Sequence, residues 1–439
     1  MRTTRKWIML GLVFLLLLPM SITVRGQGIV DDTSDHPLLD MLATVPEITE
    51  DTEFGGSPVY YIDLDVVRAQ LPPELQSDTL AEYEGPFNAF RRINSGMGFE
   101  YLEIYDLMWE IMSFDFFDIK QTVEWGQPPE QGFIYRGDFD RDAVIAAHIE
   151  RNPNVDHLDN YEATQINGVD VWCSVENGCD GLSVDIQSRD PVNLLDRGGL
   201  GRSPGFFLTE DTLTTAYIED VLADIAATRN GNMPSVLDNA TYRALAQAFV
   251  DASDDDTTLL QAQFLPLDWT YQEINLNDPN TIGPLVSALA DRDALTNAEA
   301  AEALRSYDIF AELPGLPPYQ LVGFADYHHP ELEIVTVALV YDIEADAEVA
   351  AQALAARLPR YAPNFFAQDF TALPEIFPDI EFLEPQVYAG SEGGYVAMMT
   401  MQVPAVDLLT EDMPLPGRLM RLLNDSIMRR TAYLIWNFL

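Results

Sequence analysis

Phe133–Ala147 reads FIYRGDFDRDAVIAA, and Val337–Ala351 reads VALVYDIEADAEVAA. At an offset of 204 residues, Asp138, Asp140 and Asp142 fall on Asp342, Glu344 and Asp346. Ile145, Ala146 and Ala147 fall on Val349, Ala350 and Ala351. Each stretch predicts an apolar strand, an acidic turn and an amphipathic helix. Acids belong at a helix start, where unpaired N–H groups and the positive dipole end favour them.

The surroundings repeat the plan. A strand is expected at Gln121–Trp125 before the first stretch and at Gln320–Tyr327 before the second, with turns at Gly126–Pro129 and His328–Glu331. After the first helix come Tyr161–Gln165, an Asn167-Gly168 turn and Val169–Cys173; after the second come Glu384–Tyr388, a glycine turn and Tyr395–Val403. Asn-Gly between alternating runs is a strong hairpin signal. The fold class is therefore α+β: two β-β-α-β-β units, each an antiparallel sheet with a helix on one face, joined by a helical segment. One period of this length argues duplication and not a solenoid.

The expected organisation is a signal peptide at 1–26, a loose N-terminal segment at 27–56 and a first unit at 57–265. A helical connection follows at 266–315, then a second unit at 316–405 and a basic amphipathic helix at 406–439. Within the first unit, a strand is expected at Gly205–Leu208, helices near Thr215–Ala227 and Ser235–Val250, and a strand at Leu259–Phe264. Asp251–Asp256 is expected as an acidic loop.

Residues 1–26 have the layout of a secretory leader. Arg2, Arg5 and Lys6 precede the apolar run Trp7–Leu18, which is shorter than a spanning helix needs. Cleavage is placed after Gly26, with Thr23 as a second site; an uncleaved N-terminal anchor is the alternative, because Ile22 and Val24 lengthen the apolar stretch. No cysteine lies near the junction to carry a lipid.

Removing the leader leaves 20 basic residues against 71 acidic ones, a formal charge of −51, with Lys120 the one lysine. Such a surface repels nucleic acid and anionic lipid and attracts cations and basic partners. An apolar content of 47% is enough to bury a core, so the acidity does not imply disorder.

Cys173 and Cys179, with five residues between them across Asn177-Gly178 and alternating flanks at Val169–Cys173 and Leu182–Ile186, predict a structural disulfide at the mouth of a hairpin. Their spacing fits neither the usual zinc ligands nor a catalytic dithiol. Other motifs dissolve on inspection. Gly201-Arg-Ser-Pro-Gly205 matches a nucleophile elbow, but Pro204 has no N–H to give an oxyanion hole and a strand follows where a helix is required. Asp138, Asp140 and Asp142 open like a calcium loop, yet Ala143 and Ile149 stand where its glycine and glutamate belong. His36, His148, His157, His328 and His329 form no zinc pair. Asn239-Ala-Thr241 is a glycosylation sequon without meaning in a bacterial setting. No catalytic, cofactor or metal-binding residue is assigned.

The segments FDIKQTVEWGQPP (117–129), FIYRGDFDRDAV (133–144), NGVDVWCSVENGCDGL (167–182) and SVLDNATYRALAQAF (235–249) resemble a family of exported bacterial proteins known as a domain of unknown function. The resemblance spans roughly 117–265 and implies an envelope or extracellular α+β protein; it brings no catalytic residues.

The reading is an exported, non-catalytic protein that binds a ligand or protein partner or serves the envelope structurally. The alternative is an exported hydrolase whose site is assembled from residues distant in sequence. At the C-terminus, Arg418, Arg421, Arg429 and Arg430 flank a stripe of Leu419, Leu423, Ile427, Leu434 and Phe438. That helix is expected to dock on the acidic body, a membrane surface being its alternative seat.

Overall fold

The fold is described from a computed structural model. It describes residues 36–47, 58–70, 111–114, 118–127, 130–149, 161–175, 178–181, 201–254, 256–267, 314–361, 371–391, 393–406 and 417–428, with the short pieces 23–24, 187, 296 and 298–299.

The elements run β1 (Thr23–Val24), α1 (Pro37–Leu42), β2 (Val59–Asp63), α2 (Leu64–Ala69), β3 (Ile119–Gln127), β4 (Glu130–Gly137) and α3 (Arg141–Ile149). Next come β5 (Tyr161–Ile166), β6 (Val169–Ser174), β7 (Gly205–Leu208), β8 (Thr212–Ala216), α4 (Glu219–Arg229), α5 (Ala240–Asp251) and β9 (Thr258–Pro266). The chain continues with β10 (Leu321–His328), β11 (Leu332–Tyr341), α6 (Glu344–Arg357), α7 (Leu373–Ile376), β12 (Glu381–Phe382), β13 (Gln386–Ala389), β14 (Tyr395–Pro404) and α8 (Arg418–Met428).

This is an α+β fold built on one sheet, in the order β1-β13-β14-β11-β10-β9-β2-β3-β4-β8-β7-β6-β5, with β12 also on β14. Every pairing is antiparallel except β1 on β13. Both quoted stretches are a strand running into a helix, β4 into α3 and β11 into α6. The two expected units share one sheet, joined where β2 pairs with β9. Beside β4 lies β8, whose Thr215 and Ala216 take up the start of the helix expected near Thr215–Ala227, so that α4 begins only at Glu219; β6 and β5 lie further out.

Apolar residues alternate along the strands, so one sheet feeds two cores. Phe264 belongs to a core with α1, α4 and α5, and its neighbour Leu265 to the opposite core with α6, α7 and α8. Helix α5 sits close on β10 because Gly323 has no side chain: a Cβ there would stand 2.7 Å from both Leu245 and Phe249. Tyr327 then donates its hydroxyl to the Phe249 carbonyl at 3.0 Å.

The N-terminal stretch is not uniformly loose. Pro37 opens α1, His36 Nδ1 accepts the Leu38 N–H at 3.2 Å, and Leu38, Met41 and Leu42 are fully buried. The apolar residues Leu38, Met41 and Leu42 drive this, while Asp40 between them meets Arg136. The expected helix over 282–304 lies, but for 296 and 298–299, outside the described residues.

The Asn167-Gly168 turn closes the β5–β6 hairpin, with Ile166 opposite Val169. Both residues take positive φ, 48° and 81°, as a primed two-residue turn requires. Asn167 also donates to the Ala223 carbonyl on α4 at 2.8 Å, and Asn230 returns a bond to the Asn167 carbonyl at 2.9 Å.

Candidate functional site

Across the first half of the sheet runs a polar rung. Asp63 on β2 faces Gln121 on β3, Gln121 faces Arg136 on β4, and Arg136 faces Thr212 on β8. Directly opposed residues share a face, so these side chains line up toward α1 and α4. Asp63 Oδ1 accepts the Val66 N–H at 3.1 Å and so caps α2, while Tyr61 donates its hydroxyl to Oδ2 at 3.1 Å. Gln121 Nε2 lies 3.5 and 3.4 Å from the two oxygens. Arg136 sits between Asp40 of α1 at 3.5 Å and Asp211 at 3.6 Å. Thr212 and Thr209 share a hydrogen bond of 2.6 Å, and Arg229 of α4 donates to Thr209 at 3.1 Å.

Burial pushes the Asp63 carboxyl up, against the downward pull of its three donors. Burial, and then the adjacent Asp63, raise the Tyr61 phenol well above its usual value. Burial lowers the Arg229 guanidinium, with Asp211 opposing and Arg136 reinforcing. The rung pairs the Arg136 charge with Asp40 and Asp211 and holds Asp63 and Arg229 by hydrogen bonds, tying α1 and α4 to the sheet.

At the end of the rung opens a cleft of about 800 Å³ lined by Gly137, Asp138, Phe139, Asp140, Glu210 and Asp211. Asp138 meets Lys120 Nζ at 2.8 Å, and Asp140 accepts the Ala143 N–H at 3.1 Å at the start of α3. The floor is rigid: the Gly137 N–H donates to the Asp211 carbonyl, and the Asp138 N–H to the Asp118 carbonyl, each at 2.9 Å. Four carboxylates give the cleft a negative lining, answered in part by Lys120 at Asp138 and by Arg136 at Asp211.

The residues singled out in sequence are dispersed. Cys173 and Cys179 are bonded, 4.8 Å apart at Cα, and both are buried in the core shared with α4. Gly205 makes room for them, since a Cβ there would meet Leu222 at 2.6 Å and the Cys173 sulfur at 3.5 Å. The second flank expected for their hairpin, 182–186, lies outside the described residues; among those described, β6 pairs with β5 and β7. Ser203 is buried ahead of β7, in a turn that enters a strand. His148 is buried against Phe206 and Tyr161, and His329 accepts the Glu331 N–H at 3.1 Å in its turn. Asn239 caps α5 by accepting the Thr241 N–H at 3.0 Å. Among the described residues no group of three or more His, Cys, Asp or Glu side chains is placed to hold a metal ion.

Sequence reasoning missed a second cluster, on the other face. Glu124 lies opposite both Tyr60 and Phe133 and accepts a bond from Gln131. Burial first, and then the Glu124 charge, raise the phenol of Tyr60. Tyr135 and Tyr217 are raised by burial first as well, with Glu124 adding to both. Arg202 stacks 5.3 Å above Tyr217. Cross-strand neighbours of this kind depend on register, which no local motif announces.

No protein-family model matches the chain, and no curated protein matches its sequence. Among solved structures it is similar to TP0453 in crystal form I, at a TM-score of 0.31 and 6% identity over 90% of this chain and 98% of that one. Crystal form III of TP0453 gives a TM-score of 0.28 at 6% identity, over 82% of this chain and 93% of that one.

Proposed function

We propose that the chain is an exported bacterial envelope or extracellular protein of two duplicated halves, non-catalytic, that binds a cationic ligand or a basic partner. The observation that carries this reading is how the chemically able side chains are used. The cysteines are bonded in the core, Asp63, Asp140, His36 and Asn239 cap helices, and His329 braces a turn. The open acidic cleft beside Arg136 is the seat for the ligand, and the charge of −51 left after leader removal draws cations toward it. The exported setting rests on residues 1–26, on the disulfide, and on the resemblance to exported proteins over 117–265.

The test is calorimetric titration of the exported chain with an oligoarginine peptide. Neutralising the cleft with Asp138→Asn and Asp211→Asn should weaken binding about tenfold, or about 1.4 kcal/mol. The control pair Asp254→Asn and Asp256→Asn, in the loop before β9, should leave it nearly unchanged. Equal weakening by both pairs would reduce the binding to diffuse charge and defeat the assignment of the cleft.

A further inference from the structure

Helix α4 begins without a cap of its own. Ile218 precedes it and offers no side-chain acceptor, although a helix start leaves its first N–H groups unpaired. The acceptor comes from another part of the chain: Asp180 Oδ1 takes the Glu219 N–H at 3.1 Å. Asp180 directly follows Cys179. A main-chain bond from the Gly178 N–H to the Ser174 carbonyl, at 2.8 Å, and the disulfide to Cys173 hold this segment to β6. Leu222, in the first turn of α4, packs in the same core as both sulfurs.

The other end of α4 reaches the acidic cleft. Arg229 donates to the Thr209 hydroxyl at 3.1 Å. Thr209 in turn bonds Thr212 twice, between the two hydroxyls at 2.6 Å and from its N–H to the Thr212 carbonyl at 2.9 Å. The turn closed in this way carries Glu210 and Asp211, two of the acids that line the cleft. One rigid helix thus connects the disulfide to the cleft wall.

We infer that closure of the Cys173–Cys179 bond regulates the cleft. The bond seats Asp180 as the cap of α4, and α4 sets the Glu210–Asp211 turn for a cationic ligand. The inference rests on the reading of the cleft given above. Closure is thiol–disulfide exchange with a small-molecule disulfide: the two cysteine thiols lose two electrons and two protons, and the oxidant leaves as two thiols. A dithiol reductant runs the exchange backwards, frees Asp180 from its place and loosens α4. Oxidation outside the cytoplasm then completes the binding site.

Hydrogen exchange at the Glu219 and Thr209 amides, joined to oligoarginine titration of the exported chain, tests the coupling. Reduction with excess dithiol should speed exchange at Glu219 about tenfold, as loss of a helix cap does, and at Thr209 about threefold. Oligoarginine binding should weaken about threefold, and oxidised glutathione should restore it. Asp180→Ala, with the disulfide intact, should reproduce these changes, and reducing that variant should add little. Asp180→Asn keeps an oxygen for the Glu219 N–H and should stay near the native values. Glu219 exchange unchanged by reduction, or an Asp180→Ala variant that binds as the native chain does, would overturn the inference and leave the cleft standing. An oxidised chain that takes up no oligoarginine sinks the cleft reading instead, while exchange that still follows the bond upholds the link between the disulfide and α4.

Discussion

Gln263 on β9 donates through its side-chain amide to Asn424 on α8, tying the C-terminal helix to the middle of the sheet across 161 residues. Both side chains are buried, at 2% and 3% exposure, so neither has water as a substitute partner. Nearby, buried Glu333 accepts the Gly417 N–H at 3.1 Å and faces Arg418 at 3.6 Å. Arg418 also donates to the Pro404 carbonyl at 2.7 Å. Leu419, Met420 and Leu423 are fully buried beneath the helix.

The basic helix is thus docked on the acidic body over the described residues 417–428. Leu423→Ala should cost about 2–5 kcal/mol, the usual range for emptying a filled core site. Deleting 417–439 should lower Tm, expose apolar surface to a dye and leave the chain unable to bind anionic vesicles, as before truncation. Vesicle binding lost on truncation, with Tm unchanged, would make a membrane the true seat.

Reducing the Cys173–Cys179 bond should lower stability by about 2–3 kcal/mol, from the loop-closure entropy of a short ring. The paired Cys173→Ser, Cys179→Ser variant should lose more, because both sulfurs pack in the core beside Gly205 and Leu222. Denaturation of the oxidised, reduced and variant chains checks the order; equal midpoints would contradict it.

The strand-to-helix passages from β4 into α3 and from β11 into α6, the Asn167-Gly168 hairpin and the disulfide were legible because each is announced by residues close together in sequence. Periodicity and turn chemistry are local. β8 was not legible: Thr212-Leu-Thr-Thr-Ala216 alternates weakly and runs toward α4, so helical character further on masks a strand made by pairing with β4. The rung from Asp63 to Thr212 spans strands drawn from positions 63 to 212, and nothing local reveals that those carboxylate, amide and guanidinium groups share one level. Long-range register decides it.

Asp63 gives a pH signature. Burial raises its carboxyl above the ordinary value of 3.8, so the folded chain holds a proton that the unfolded chain has lost. Unfolding releases that proton, and this contribution to stability falls as pH rises from the unfolded value through the folded one. Asp63→Asn keeps an oxygen for the Val66 N–H and cannot ionise. Its Tm relative to wild type should therefore climb as pH rises above about 3.8. Parallel curves would show that Asp63 ionises in the fold without penalty.

Gly323→Ala probes the seating of α5. A methyl group there meets Leu245 and Phe249 at 2.7 Å, so α5 must shift and the bond from Tyr327 to the Phe249 carbonyl must stretch. Overpacking of this kind costs about 1–3 kcal/mol. Urea denaturation of the variant reads the loss; an unchanged midpoint would mean that the helix is free to move outward.

Export and closure of the disulfide are read together by the intact mass of the chain recovered outside the cytoplasm, taken with and without alkylation. The expected chain begins at Gln27, and its Cys173 and Cys179 take up no alkylating reagent until reduced. A chain that keeps Met1 and alkylates at both cysteines without reduction would contradict it.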